Sequence, residues 1–144
     1  MTDYPGPLNE ILGDFDFVTS QAERAELLID WADRFAPVPP DIAAPPYPDE
    51  HRVPFCESDA YVWALPQTDG TLRLYFAVES PQGLSAMALA AILTESLSGL
   101  EAKQIAAVTP DIVLKLFGTD ISMGKGQGLT ALVAMVQAAA RAYV

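Results

Sequence analysis

Apolar residues between positions 20 and 36 recur at helical spacing, with Leu28, Ala32 and Phe35 on one stripe and Leu27 and Trp31 beside them. Ser20-Gln21-Ala22-Glu23 has the spacing of a capping box, in which the serine accepts from a backbone N–H and the glutamate reaches back, so it predicts the start of this helix. Pro37 predicts its end. Further on the period falls to two. Ala60 to Leu65 is a β-rich string, Asp69-Gly70 marks a turn, and Leu72, Leu74, Phe76 and Val78 then alternate with Thr71, Arg73, Tyr75 and Ala77, which predicts an antiparallel hairpin.

Helical spacing returns after the hairpin. Ser80-Pro81 reads as N-cap and first helical residue, Leu84, Met87, Ala88, Ala91 and Ile92 follow, and Gly99 reads as the stop. This helix is apolar nearly all round and is expected to be buried. Thr109-Pro110 repeats the start signal for a short helix ending near Gly118, with a further helical turn over 102–107 ahead of it. The run Gly124-Lys125-Gly126-Gln127-Gly128 reads as a flexible lead-in to a last helix carrying Leu129, Leu132, Val133, Val136 and Tyr143 on one face. Helix, then hairpin, then several helices predicts an α+β fold in which a small antiparallel sheet is covered by helices on one face. With no internal repeat, 144 residues and 51% apolar composition predict one domain over residues 1–144.

Composition narrows the partners. Nineteen acids against eight bases leave a formal net charge of −11, which repels nucleic-acid phosphates and anionic lipid, so neither is an expected partner. Thirteen acids and three bases fall in residues 1–60, against six and five in the remainder. That excess reads first as a solvated surface and second as an electrostatic face for a basic partner. The longest wholly apolar run, Ala86 to Leu93, is far shorter than the roughly 20 residues of a membrane span. Met1-Thr2-Asp3-Tyr4-Pro5 lacks the basic start and apolar stretch of a secretory signal, and a cytoplasmic location is expected.

The chain has one cysteine, Cys56, and one histidine, His51, too few for a standard structural zinc site or an internal disulfide. Seven of the twelve prolines lie between Pro37 and Pro54, a stretch that reads as a loop, and Cys56 follows it directly in Val53-Pro54-Phe55-Cys56-Glu57-Ser58. A loop tip on a rigid scaffold suits a reactive thiol, whereas free cysteine is also a good small hydrophobe for a core; the residues leave both readings open. His51 and Arg52 would favour a thiolate nearby, and Asp49, Glu50, Glu57 and Asp59 would disfavour it. A Cys-His-Asn hydrolase fits poorly, because the histidine is five residues from the cysteine and no orienting group is evident. The Gly124–Gly128 run lacks the strand and spacing of a nucleotide loop, yet its backbone N–H groups and Lys125 at a helix start would suit an anion beside Cys56.

These segments together resemble the SufE family of sulfur acceptors. Val53-Pro54-Phe55-Cys56-Glu57-Ser58 followed by Val62-Trp63 is similar to that family's Gly-Cys-Gln-Ser run ahead of Val-Trp. Leu97-Ser98-Gly99 with Gln104-Ile105 resembles its helix end and next helix start, and Lys125 to Leu132 resembles the Arg-Ser-Gln/Asn-Gly-Leu-x-Ala signature that opens its last helix. The likeness runs from about residue 8 to the end. The chain departs from the pattern with Phe55 for glycine, Glu57 for glutamine, Lys125 for arginine, Asp120 where some members have histidine, and two more residues between Cys56 and Val62.

The resemblance implies a SufE-like fold and a persulfide carrier that is not a stand-alone enzyme. Cys56 would take sulfur from a SufS-type cysteine desulfurase and pass it to a SufBCD-type scaffold for iron–sulfur cluster assembly. The pyridoxal phosphate would be the desulfurase's, with no cofactor on this chain. His51, Arg52, Phe55, Glu57, Ser58, Lys125, Gln127 and Gly128 would shape the site, Phe55 by sheltering the persulfide. The competing readings are a non-covalent module that binds the desulfurase with Cys56 merely packed, and an unrelated interaction protein with a core cysteine.

Overall fold

Leu8, Ile11, Leu12 and Phe15 put one apolar stripe on an N-terminal helix, α1 (Gly6–Asp16), that the reading above leaves unassigned. Pro5 precedes it and Pro7 sits in its first turn, where a missing N–H breaks no helical bond. The chain, in a computed structural model describing residues 4–119 and 121–144, continues through α2 (Gln21–Asp33), β1 (Ala60–Pro66), β2 (Thr71–Val78), α3 (Leu84–Leu97), β3 (Leu100–Glu101), α4 (Ala102–Ala106), α5 (Ile112–Phe117) and α6 (Met123–Arg141).

The fold is α+β. β1 and β2 form the predicted antiparallel hairpin, in register from Ala60 opposite Val78 to Pro66 opposite Leu72, and β3 adds briefly to the far edge of β2. Alternation sorts the side chains. Ala60, Val62, Leu72, Leu74 and Phe76 face the helices and join the main core, in which α3 is buried along most of its length. Tyr61, Trp63 and Ala77 face the other way and are covered by the Pro-rich loop, which brings Val38, Ile42, Ala43 and Tyr47 onto them. The loop and the α3 end also complete the edge of β2 that short β3 leaves open. Val38 N donates to Phe76 O at 2.8 Å, Gly99 N to Leu72 O at 2.8 Å, and Leu74 N to Ser98 Oγ at 3.0 Å.

Several element boundaries differ from the sequence expectation, each for a local reason. Ser20 does cap α2 through Glu23 N, but the Glu23 carboxylate accepts from Thr19 Oγ1 at 2.7 Å instead of reaching back to the cap, and α2 ends at Asp33, before Pro37. Ser80-Pro81 is a turn outside α3: Ser80 N is held by Ser58 O, Gly83 N donates to Ser80 O, and the helix starts at Leu84. Thr109-Pro110 likewise forms a turn, because the Thr109 hydroxyl donates to Asp111 and pairs with Tyr4 Oη, and α5 starts at Ile112. The Gly124–Gly128 run is helix, within α6, whose start is capped by Ser122 Oγ accepting from Lys125 N. Tyr143 lies beyond that helix and is exposed.

Candidate functional site

The sheet delivers Cys56 to the surface on a short excursion. Arg52 bridges to Tyr61, Val53 N donates to Ala60 O at 2.8 Å, and the chain between them turns through Pro54–Asp59 with Cys56 at the tip. Two residues of this turn take left-handed backbone angles, Phe55 at φ 62° and Asp59 at φ 51°. Asp59 is anchored by the Arg52 guanidinium, which donates to its carboxylate. Ser80 N donates to Ser58 O at 3.1 Å and Glu79 N to Asp59 O at 3.2 Å, so the C-terminal side of the turn is tied to the strand leading into α3.

Two glycines let helices close on the turn. A Cβ on Gly128 of α6 would lie 3.0 Å from both Cys56 Cα and Phe55 O, so any side chain there would push the turn back by a few tenths of an ångström. A Cβ on Gly83, ahead of α3, would lie 2.7 Å from Val78 Cγ1 and 2.9 Å from the Ser58 side chain. Between these contacts is a cavity of about 150 Å³ lined by Cys56, Glu57 and Ser58, by residues 82–86 at the start of α3, and by Gly124, Lys125, Gly128 and Leu129 of α6. Cys56 is half-buried there and packs on the edge of the main core. The opening turns of two helices thus face one small space. The first backbone N–H groups of any helix lack an internal acceptor, and α3 has no side-chain cap. The start of α3 and Lys125 therefore bring positive charge to this space, and the Glu57 carboxylate, with Oε1 3.3 Å from where a Cβ of Gly124 would stand, brings negative charge to the α6 side of it.

Of the residues expected to shape the site, Glu57, Ser58, Lys125 and Gly128 line this cavity with Cys56. His51, Arg52, Phe55 and Gln127 do not. His51 Nδ1 lies 2.8 Å from Val62 O and its ring stacks on Trp63 at 4.9 Å, within the aromatic cluster on the outer sheet face. Arg52 is engaged by Asp59, and Gln127 projects from α6 into solvent. Phe55 is 75% exposed at φ 62° and lies outside the cavity lining, while its carbonyl lies against Gly128. Asp120 lies outside the described residues. Gly83 and the helix start behind it are part of the site that sequence reasoning missed. The signal was the glycine itself, a fair N-cap residue directly ahead of the apolar run.

Elsewhere three groups are displaced from their ordinary titration, one of them Asp69, whose carboxyl is held down by the Thr71 hydroxyl and backbone N–H. Burial first, then a hydrogen bond with Glu79, pushes the Tyr61 phenol up, while the Thr109 hydroxyl first, then Tyr4 Oη, holds the Asp111 carboxyl down. Among the described residues no cluster of three or more His, Cys, Asp or Glu side chains is placed to hold a metal, and no helix is long and apolar enough to cross a membrane.

Comparison with known proteins fits this geometry. No curated protein sequence matches the chain. Among solved structures, it is similar to the solution structure of a hypothetical protein from Thermus thermophilus, with a TM-score of 0.75 at 26% identity over 98% of each chain. The sequence model of the SufE family, described as an Fe-S metabolism associated domain, matches residues 9–140. With the match spanning nearly its whole length and including both the cysteine turn and the α6 glycines, the chain belongs to the SufE family and has its role in iron–sulfur metabolism.

Proposed function

We propose that the protein is a sulfur acceptor that carries a persulfide on Cys56 between a SufS-type cysteine desulfurase and a SufBCD-type scaffold in the cytoplasm. The observation that carries this reading is the position of the only cysteine, on a braced turn at a small cavity faced by two helix starts. In the transfer, the Cys56 thiolate attacks the outer sulfur of the persulfide on the desulfurase cysteine. One S–S bond breaks as another forms, the desulfurase cysteine leaves as a thiolate and takes up the proton that Cys56 gave up, and no net oxidation occurs. About 150 Å³ beside the thiol leaves room for the added sulfur. The pyridoxal chemistry that creates the first persulfide belongs to the desulfurase. This chain contributes the nucleophile, its placement and a partly sheltered resting site.

The half-buried packing of Cys56 on the core favours one second reading, a desulfurase-binding module whose cysteine is structural. Intact-mass analysis after incubation with desulfurase and free cysteine separates the two. The acceptor gains one sulfur, removable by reductant and absent in Cys56→Ser. Binding and stimulation of the desulfurase that survive Cys56→Ser without any adduct on the wild type would replace the acceptor with the module.

A further inference from the structure

The ring of Phe55 is explained neither by the core nor by the cavity. Its backbone sits at φ 62°, where glycine is at ease and an aromatic residue is disfavoured. Three quarters of its surface faces solvent, and it does not line the cavity beside Cys56. Neither the core nor the cavity offsets that backbone cost within the free chain.

Position points to a complex. Any protein that brings a sulfur atom within bonding distance of Cys56 must close over the residue bonded to it in the chain. Leu84, 41% exposed, lines the α3 side of the cavity, and Met123, 82% exposed, directly precedes the lining residue Gly124 on the α6 side. Resting on the acceptor reading above, we propose that Phe55 is the aromatic anchor by which this chain binds its cysteine desulfurase. It enters an apolar recess beside the persulfide-bearing cysteine, while Leu84 and Met123 seal the rim. Central, exposed aromatic residues are the type that dominates binding energy at protein interfaces.

Glycine is the informative substitution, since it removes the ring and relieves the backbone together. With the cysteine desulfurase encoded in the same genome, calorimetric titration of Phe55→Gly is expected to show affinity weakened about 10- to 100-fold relative to wild type. Its melting temperature should equal or exceed the wild-type value, and Cys56 should label with a small alkylating reagent at least as fast. Phe55→Leu, which keeps an apolar anchor, should recover part of the affinity. Phe17→Ser removes a ring that is 84% exposed at the end of α1, outside the cavity lining, and should bind like wild type. Wild-type affinity in Phe55→Gly overturns the anchor but leaves the acceptor reading standing, as does an equal loss in Phe17→Ser. A wild-type chain that neither binds the desulfurase nor gains sulfur overturns both.

Discussion

Gly128 and Gly126 stand two residues apart in α6, and replacing each by alanine separates helix propensity from contact with the cysteine turn. Both lie past the capped first residues, so alanine at either gains about 0.5–1 kcal/mol of helix stability. At Gly126 the new methyl meets only the end of the Ile121 side chain, at 3.4 Å, and the gain should be kept. At Gly128 the methyl meets backbone, Cys56 Cα and Phe55 O, both at 3.0 Å, and the turn must retreat by a few tenths of an ångström. Overpacking of this kind costs about 1–3 kcal/mol. Gly126→Ala should therefore be stabilised by about 0.5–1 kcal/mol, and Gly128→Ala should range from neutral to about 2.5 kcal/mol destabilised. Urea denaturation with a common m-value measures the difference, and the rate of Cys56 labelling reports whether the turn has moved. A Gly128→Ala protein as stable as Gly126→Ala, with unchanged labelling, would refute the close approach of α6 to the cysteine turn.

Three further outcomes follow from the same geometry. Gly83→Ala should lose about 1–3 kcal/mol, because its methyl would fall 2.7 Å from Val78 Cγ1 and 2.9 Å from Ser58 Cβ; thermal melting checks this. Ser122→Ala removes the side-chain acceptor for Lys125 N at 3.2 Å and should cost α6 about 1 kcal/mol in urea denaturation, an unchanged midpoint counting against the cap. Asp111 has its carboxyl held below the ordinary aspartate value by Thr109 and Tyr4. Its stabilisation should be complete above that ordinary value and vanish as pH falls through the lower folded one, so acid titration of Asp111→Asn should show a shallower loss at the acid end than wild type.

Where the pattern was repetitive, it was legible. The alternation from Leu72 to Phe76 sets the hairpin and its inner face, and the apolar run from Ala86 to Leu93 is the most buried helix, because periodic burial is written in every residue of such segments. Helix starts were less legible. Ser80-Pro81 and Thr109-Pro110 carry the right residues, yet long-range partners, Ser58 for one and Tyr4 for the other, hold them as turns. The pattern of Leu8, Ile11, Leu12 and Phe15 is helical, but it is short and set among Pro5, Gly6, Pro7 and Gly13, of which Gly6 and Pro7 occupy tolerant first-turn positions. Cys56 was legible as a loop residue. Its surroundings were not, because Gly83 and Gly128 come from segments far along the chain and matter through the atoms they lack. Neighbours in sequence divide: His51 turns to the outer sheet face, whereas Arg52 braces the cysteine turn through Asp59 without lining the cavity.

The ties from Ser58 and Asp59 to residues 79 and 80 bear on how cheaply the cysteine turn can be engaged. Ordering backbone on association costs about 1–2 kcal/mol per residue at ordinary temperature. Here the Arg52–Asp59 pair, the Ser80–Ser58 bond and the wall formed by α6 already hold both sides of the turn in the free protein. Little of that cost is left to meet on docking. Docking can thus be brief and still reach the right geometry, as the proposed transfer between two partners requires.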